Sequence, residues 1–352
     1  MPASTSELDQ DSSLRRRRHV REQQSWRVHM RRRAFISLVG GAIAWPLVAR
    51  ADKSFGRRRV LWISTDSQPD PFLDGFREGL HSRGYVEGRN VVLDVHYSQG
   101  NPGALRRMIP ELGSGSIDLV VSSGPATRAI KDVTSVPVLF ALSGDPIELG
   151  LVNSLAQPGG NFTGSTFLSL DLAGKRVELL KEILPTLRKL IVLSNTDHPG
   201  EQSEWCATRR VAHALRIEPI YVPFKGVHEL HNALAAAGNA RAEAMLVFPD
   251  AVTMVHRARL AEFAVTHQLP SMFGWSEYCD AGGLVSYGAN QRTTYFGLAE
   301  YADRILRGER PANLPVQQPA EFELTVNLKT AEALGIDLVA SSFLFRANKV
   351  IE

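Results

Sequence analysis

Cysteine is nearly absent, with only Cys206 and Cys279 in 352 residues. A disulfide-stapled mini-scaffold is therefore excluded. A chain this long can fill its cores without a staple, so two separate thiols are expected, although an oxidising compartment would permit a bridge. Long apolar runs are missing too: after residue 51 nothing approaches the roughly twenty residues needed to span a bilayer. No low-complexity tract follows the first thirty residues, which excludes a fibre or a disordered scaffold. The usual catalytic signatures are also lacking. There is no Gly-x-Ser-x-Gly, no P-loop and no Gly-x-Gly-x-x-Gly after the first strand, and Gly113-Ser-Gly115 precedes a strand instead of following one. His198, His213, His228, His231, His256 and His267 are scattered, and His228 with His231 at i, i+3 reads as a solvated helix face. No metal and no cofactor is expected.

Positive charge is scarce where a nucleic-acid binder would need it. The whole chain has a formal charge of +3, but residues 1–51 hold ten Arg, no Lys and four acidic residues, so the remainder is net negative. A basic binding face on the folded part is excluded, and no nucleic-acid partner is expected. The basic segment reads as an address. From Met30 the chain runs through Arg31-Arg-Arg33, an uncharged stretch from Ala34 to Ala49, and Ala49-Arg-Ala51, which is the layout of a signal peptide (30–51) cleaved after Ala51. Arg32-Arg33-x-Phe35-Ile36 resembles the twin-arginine signal, and an amphipathic membrane-anchoring helix is the alternative. Residues 1–29 read as a disordered extension or a mis-assigned start. With no Cys after the signal, a lipid anchor is not expected, and the mature product would be soluble in the periplasm.

Past Lys53, β-branched runs alternate with helix-length amphipathic stretches, the pattern of parallel sheets covered by helices. Runs at 60–64, 90–97, 117–122 and 136–142 alternate with helices near 70–83, 101–112 and 124–131. A second series at 189–195, 218–222, 244–248 and 270–274 alternates with helices near 199–215, 227–237 and 253–267. The fold class is α/β, with two doubly wound, Rossmann-like parallel-sheet lobes joined by a hinge. Residues 52–165 plus 284–310 are assigned to the first lobe and 166–283 to the second, and the strand-helix tail 311–352 is left to either. The extended stretch Asn161–Ser169 and the irregular one near Tyr278–Gly288 are candidate hinge crossings.

In open α/β sheets a ligand lies beyond the carboxyl ends of the strands. Those ends carry Thr65 and Asp66; Ser123, Gly124 and Thr127; Asp145; Thr166; Asn195; and Asp250. Ser123-Gly124-Pro125 opens a helix whose N–H groups could take a carboxylate, or it is an ordinary cap. Asp145 and Asp250 could each accept an ammonium group or cap the next helix. Trp275 and Glu277 could line an aromatic pocket, or Trp275 could pack the hinge.

Gly144-Asp-Pro-Ile-Glu-Leu-Gly-Leu-Val-Asn-Ser-Leu-Ala-Gln-Pro-Gly-Gly-Asn-Phe-Thr-Gly164, with Gly84-Tyr-Val-Glu-Gly-Arg-Asn90 and Val326-Asn-Leu-Lys-Thr-Ala-Glu-Ala-Leu-Gly335, resembles the ABC transporter substrate-binding proteins related to the tryptophan-binding TrpX type. The likeness runs over nearly all of 30–352. It implies a type I periplasmic-binding-protein fold, an amino-acid-like or other small organic ligand in the inter-lobe cleft, and a monomer that hands its cargo to a membrane permease. On matching positions it points to Thr65, Ser123, Gly124, Thr127, Asp145, Thr166, Asn195 and Asp250. Where many members carry an Asn-Pro-Asn turn, this chain has Asn195-Thr-Asp-His-Pro-Gly200, so ligand identity does not carry over. Not an enzyme is the expectation; the rival is an α/β hydrolase or oxidoreductase with an inter-lobe cleft. A sugar-type regulator of similar fold would need a helix-turn-helix where the signal stands.

Overall fold

The longest apolar runs become the innermost strands, because parallel strands covered on both faces have no solvent side to leave polar. The computed structural model describes residues 57–65, 70–98, 102–111, 117–338 and 343–352. The expected signal and its extension lie outside them. In the first lobe, β1 (Arg58–Ser64), β2 (Val91–Tyr97), β3 (Leu119–Ser123), β4 (Val138–Leu142) and β5 (Phe162–Thr166) form a parallel sheet in the order β2-β1-β3-β4-β5. Its helices are α1 (Pro71–Ser82), α2 (Pro102–Glu111) and α3 (Pro125–Ala129). The stretch Asn161–Ser169 expected as a crossing divides: Phe162–Thr166 is the edge strand β5, and the residues after it cross to the second lobe. Gly164 is required there: a Cβ would lie 1.9 Å from Phe140 O on the neighbouring strand.

The second lobe begins with α4 (Ser169–Ile183), a helix not foreseen from the sequence. Then come β6 (Lys189–Asn195), α5 (Glu201–Ala214), β7 (Glu218–Phe224), α6 (Gly226–Asn239), β8 (Ala244–Val247), α7 (Ala251–Val255), α8 (Arg257–Thr266), β9 (Ser271–Phe273), α9 (Ser276–Asp280) and β10 (Val285–Gly288). After α10 (Gln291–Leu306), the tail supplies β11 (Glu323–Asn327), α11 (Leu328–Ala333) and β12 (Lys349–Ile351). The sheet order is β12-β11-β10-β9-β8-β6-β7, parallel except where β11 runs against β10. The tail therefore completes the second sheet.

Residues 284–310, expected in the first lobe, divide. β10 pairs with β9 and β11 in the second sheet, whereas α10 packs on α1 of the first. The helix contact is close because Gly79 has no side chain; a Cβ there would lie 2.4 Å from Phe296 O. The chain passes between lobes three times: β5 to α4, β10 to α10, and α10 to β11. The first and third are tied together, since Thr166 N donates to Gln317 O, Gln317 N to Gly164 O and Thr163 Oγ1 to Leu314 O. One apolar cluster joins Trp62, Phe72 and Phe76 of the first lobe to Ile191, Leu193 and Trp275 of the second. Each such fully buried large side chain contributes about 1.5–3 kcal/mol.

Candidate functional site

The carboxyl ends of both sheets face one another, and small polar residues end the strands because a bulky side chain would hold the lobes apart. Gly144, after β4, and Gly200, before α5, meet backbone to backbone: a Cβ on Gly144 would stand 3.0 Å from Gly200 N, and one on Gly200 2.9 Å from Gly144 Cα. Beside this seam Ser143 Oγ donates to Pro249 O at 3.5 Å and Ser203 Oγ to Glu148 Oε2 at 3.3 Å.

Aromatic rings fill the middle. Phe72, at the start of α1, stacks on Tyr295 of α10 at 5.1 Å and meets Trp275 edge-on at 6.0 Å; Phe167, on the first crossing, meets Trp275 edge-on at 5.8 Å. Trp275 follows β9, so rings from both lobes and the hinge share one box. Asp70 sets one wall. Its carboxylate caps α1 by accepting from Phe72 N and Leu73 N, and also accepts from Trp62 Nε1 at 3.0 Å and Tyr97 OH at 3.2 Å. Burial raises its pKa, against the pull of those four donors.

The expected site residues divide into two groups. Thr65, Ser123, Thr166, Asn195, Asp250 and Trp275 lie buried at strand ends. Thr65 Oγ1, Thr166 Oγ1 and Trp275 Nε1 find no hydrogen-bond partner among the described residues, the condition a polar ligand relieves. Ser123 Oγ donates to Ser64 Oγ. Asn195 Nδ2 donates to Asp250 Oδ2, while Asn195 Oδ1 accepts from Asp197 N and Gly226 N. Asp250 Oδ1 caps α7 through Thr253 N at 2.7 Å, and burial raises the Asp250 pKa, with His198 and its hydrogen-bond donors opposing.

Of the others, Thr127 and Asp145 make local contacts, whereas Glu277 Oε2 is buried with no partner among the described residues. Thr127 Oγ1 is shared with Ser122 Oγ at 2.9 Å, Gly124 N donates to Ala141 O, and the expected helix start forms as α3, with Gly124 before it and Pro125 in its first turn, although the helix is only five residues long. Asp145 Oδ1 caps its own turn through Ile147 N at 2.7 Å. Glu277 stands near Asp280 and Glu323; burial first, then those two carboxylates, raises its pKa. Asp66 lies outside the described residues. Cys206 is exposed and Cys279 buried, both free.

Sequence reasoning missed Asp70, Phe72, Phe167, Arg176, His198, Glu204, Tyr295 and Gln291, whose buried amide has neither atom partnered among the described residues. Asp70 was legible: Asp followed by Pro71 is a helix-start signature. His198 Nε2 pairs with Glu204 Oε1 at 2.8 Å, deep under the seam; burial works against its charge, but Glu204, Asp250 and Glu201 outweigh it and raise the pKa. Among the described residues there is no group of His, Cys, Asp and Glu suited to a metal, and no helix long and apolar enough to cross a membrane.

Comparison with known proteins agrees with this architecture. A tyrosine-binding protein of Clostridioides difficile (strain R20291) is 25% identical over 278 residues, covering 77% of this chain and 79% of that one. A conserved domain protein from Vibrio cholerae O1 biovar El Tor shares 26% identity at a TM-score of 0.78, with 84% of this chain and 99% of that one aligned. An ABC domain from Streptococcus pneumoniae, solved in complex with L-Trp, has a TM-score of 0.74 at 23% identity, over 83% of this chain and 100% of that one. The fold is that of type I periplasmic binding proteins. The family described as ABC transporter substrate binding protein matches residues 60–351, and the chain belongs to it.

Proposed function

We propose that this chain is exported as a free periplasmic receptor, cleaved after Ala51, that catches an amino acid with an aromatic side chain and delivers it to a membrane permease without chemical conversion. The observation that carries the reading is the box of Phe72, Phe167, Trp275 and Tyr295, drawn from both lobes and the hinge, together with the buried side chains of Thr65 after β1, Thr166 at the end of β5 and Gln291 at the start of α10, which have no partners among the described residues. A flat ring is held by edge-to-face and stacked neighbours, and polar groups fix its orientation. The tyrosine-binding relative and the L-Trp complex support the same class of ligand. Binding works by population shift: a ligand touching both lobes favours the closed form, and that form is what a permease recognises.

The test is calorimetry and thermal shift on residues 52–352 with all twenty amino acids and their aromatic analogues. Stoichiometric binding of L-tyrosine or L-tryptophan, with the ligand recovered unchanged, is the expected outcome. Turnover of any compound, or binding confined to aliphatic amino acids or sugars, would overturn the reading.

A further inference from the structure

Two charged side chains lie fully buried in the second lobe, outside the aromatic box. Arg176 is two turns into α4, yet its guanidinium reaches back to the cleft edge. Nε donates to Tyr287 O at 2.9 Å and Nη1 to Ser169 O at 3.5 Å, acceptors beside two of the three places where the chain crosses between lobes. Its third nitrogen, Nη2, has no partner among the described residues and stands 3.4 Å from a Cβ built on Gly288, the last residue of β10. Glu204 lies in the first turn of α5. Its Oε1 accepts from His198 and sits 3.2 Å from a Cβ built on Gly200, the seam glycine; its Oε2 has no partner among the described residues. These contacts set Glu204 against the seam glycine and Arg176 against the end of β10, where the chain leaves the second sheet.

A buried ion with an incomplete partner set is disfavoured, and here two of opposite sign face that condition together. They interact electrostatically, yet among the described residues they form no direct ion pair. Burial pushes the Arg176 pKa down, and Glu204, then Tyr278 and Tyr287, only oppose it. A lone anion would complete Arg176 and repel Glu204, and a lone cation would do the reverse. A molecule carrying an ammonium and a carboxylate on one carbon satisfies the two at once. We propose that Arg176 and Glu204 are the zwitterion clamp of this cleft, with Arg176 Nη2 donating to the ligand α-carboxylate and Glu204 Oε2 accepting from its α-ammonium, an assignment that rests on the amino-acid reading above. The clamp would restrict the site to free α-amino acids, rejecting decarboxylated amines, deaminated acids and peptide-blocked residues.

The experiment uses L-tyrosine and L-tryptophan, their amines tyramine and tryptamine, and their deamino acids 3-(4-hydroxyphenyl)propionate and indole-3-propionate. Binding of either amino acid by the wild-type protein tests the functional reading, and its failure overturns both proposals. With that binding in hand, the clamp is tested separately. Arg176→Met should weaken the amino acid by at least about tenfold while changing the amine less than about threefold; Glu204→Gln should do the same relative to the deamino acid. Equal losses for the amino acid and the analogue lacking the charge would overturn the clamp. Should either variant fail to fold, a crystal structure of the wild-type complex decides: ligand carboxylate on Nη2 and ammonium on Oε2 support the clamp, whereas water bridging the pair, or the charged ends held elsewhere, overturns it.

Discussion

The seam between Gly144 and Gly200 makes closure vulnerable to one methyl group. In Gly144→Ala the new Cβ would stand 3.0 Å from Gly200 N, 3.1 Å from Pro199 C and 3.3 Å from Gly200 Cα. Ordinary contacts lie at about 3.5–4.0 Å, and all three neighbours are backbone, which cannot rotate aside as a side chain would. Gly144 has no left-handed φ, so alanine brings no conformational strain of its own. The lobes must part by about half an ångström, at an overpacking cost of about 1–3 kcal/mol. That cost falls only on the closed form, because the two glycines separate when the cleft opens. Affinity for the bound amino acid should therefore drop by about 5–150-fold, while the unfolding midpoint of the ligand-free protein stays within about 2 °C of wild type. Gly200→Ala tests the contact from the other side. The double variant should lose less than the two single losses combined, since a seam opened for one methyl has room for the second. Calorimetry gives the affinities, and small-angle scattering with and without ligand gives the closure. Wild-type affinity in both single variants, or a loss of ligand-free stability as large as the loss of binding, would refute the reasoning.

Asp70→Ala removes a helix cap and strands the buried Trp62 indole N–H, for an expected loss of about 2–4 kcal/mol by urea unfolding; a loss below about 1 kcal/mol would show that the four donors find other partners. His198 has a folded pKa above its ordinary 6.5, so its contribution to stability is complete below pH 6.5 and is lost as pH rises through the folded value. Stability should therefore fall on the alkaline side of pH 6.5, and His198→Gln should flatten that slope; an unchanged slope in the variant would assign it to other groups. An alkylating reagent should modify exposed Cys206 in the native protein but reach Cys279, whose thiol burial pushes up to about 12, only after unfolding. Modification of both in the folded state, or of neither without reduction, would contradict the structure.

The strands were legible because burial on both faces writes them as short apolar runs, β6 and β8 most clearly. Helix α4 was not. It opens behind Leu168, in the left-handed region with no capping side chain, and it carries Gly174 where Val211 of α5 presses close. Nothing local marks its start. β5 reads as a polar crossing because what holds it is not local: it pairs with β4, 24 residues earlier, and its links to Leu314 and Gln317 reach segments about 150 residues away. The site follows the same rule. Strand ends point to Thr65, Thr166, Asn195, Asp250 and Trp275 without knowledge of partners. Whether Thr127 or Asp145 is free for a ligand depends on Ser122 and on Ile147 N, and only the folded chain brings those contacts about. Arg176 and Glu204 look like ordinary charges on helix faces, and become unusual only when packing removes their water.

Those unpartnered atoms also bear on how binding is coupled to closure. Thr65 Oγ1, Thr166 Oγ1, Trp275 Nε1 and the Gln291 amide are buried in the closed lobes without partners among the described residues. Each costs about 1–3 kcal/mol when water is withheld and nothing replaces it. With four such groups the closed, empty form carries a penalty of about 4–12 kcal/mol, set against the seam contacts and the ring contacts of Trp275 with Phe72 and Phe167 that favour closure. Moving a two-state equilibrium from 1:99 to 99:1 takes about 5.5 kcal/mol, which falls inside that range. A ligand that satisfies the four groups can therefore supply the difference, whereas a purely apolar one of the same shape cannot. Replacing Thr65 and Thr166 by valine removes two of the four penalties and keeps the shape. The variant should then close more readily when empty, giving a smaller scattering radius without ligand, and should show a smaller change when the amino acid is added. If the ligand-free dimensions match wild type, the unpartnered groups do not hold the lobes open, and the resistance to closure has to come from the hinge crossings.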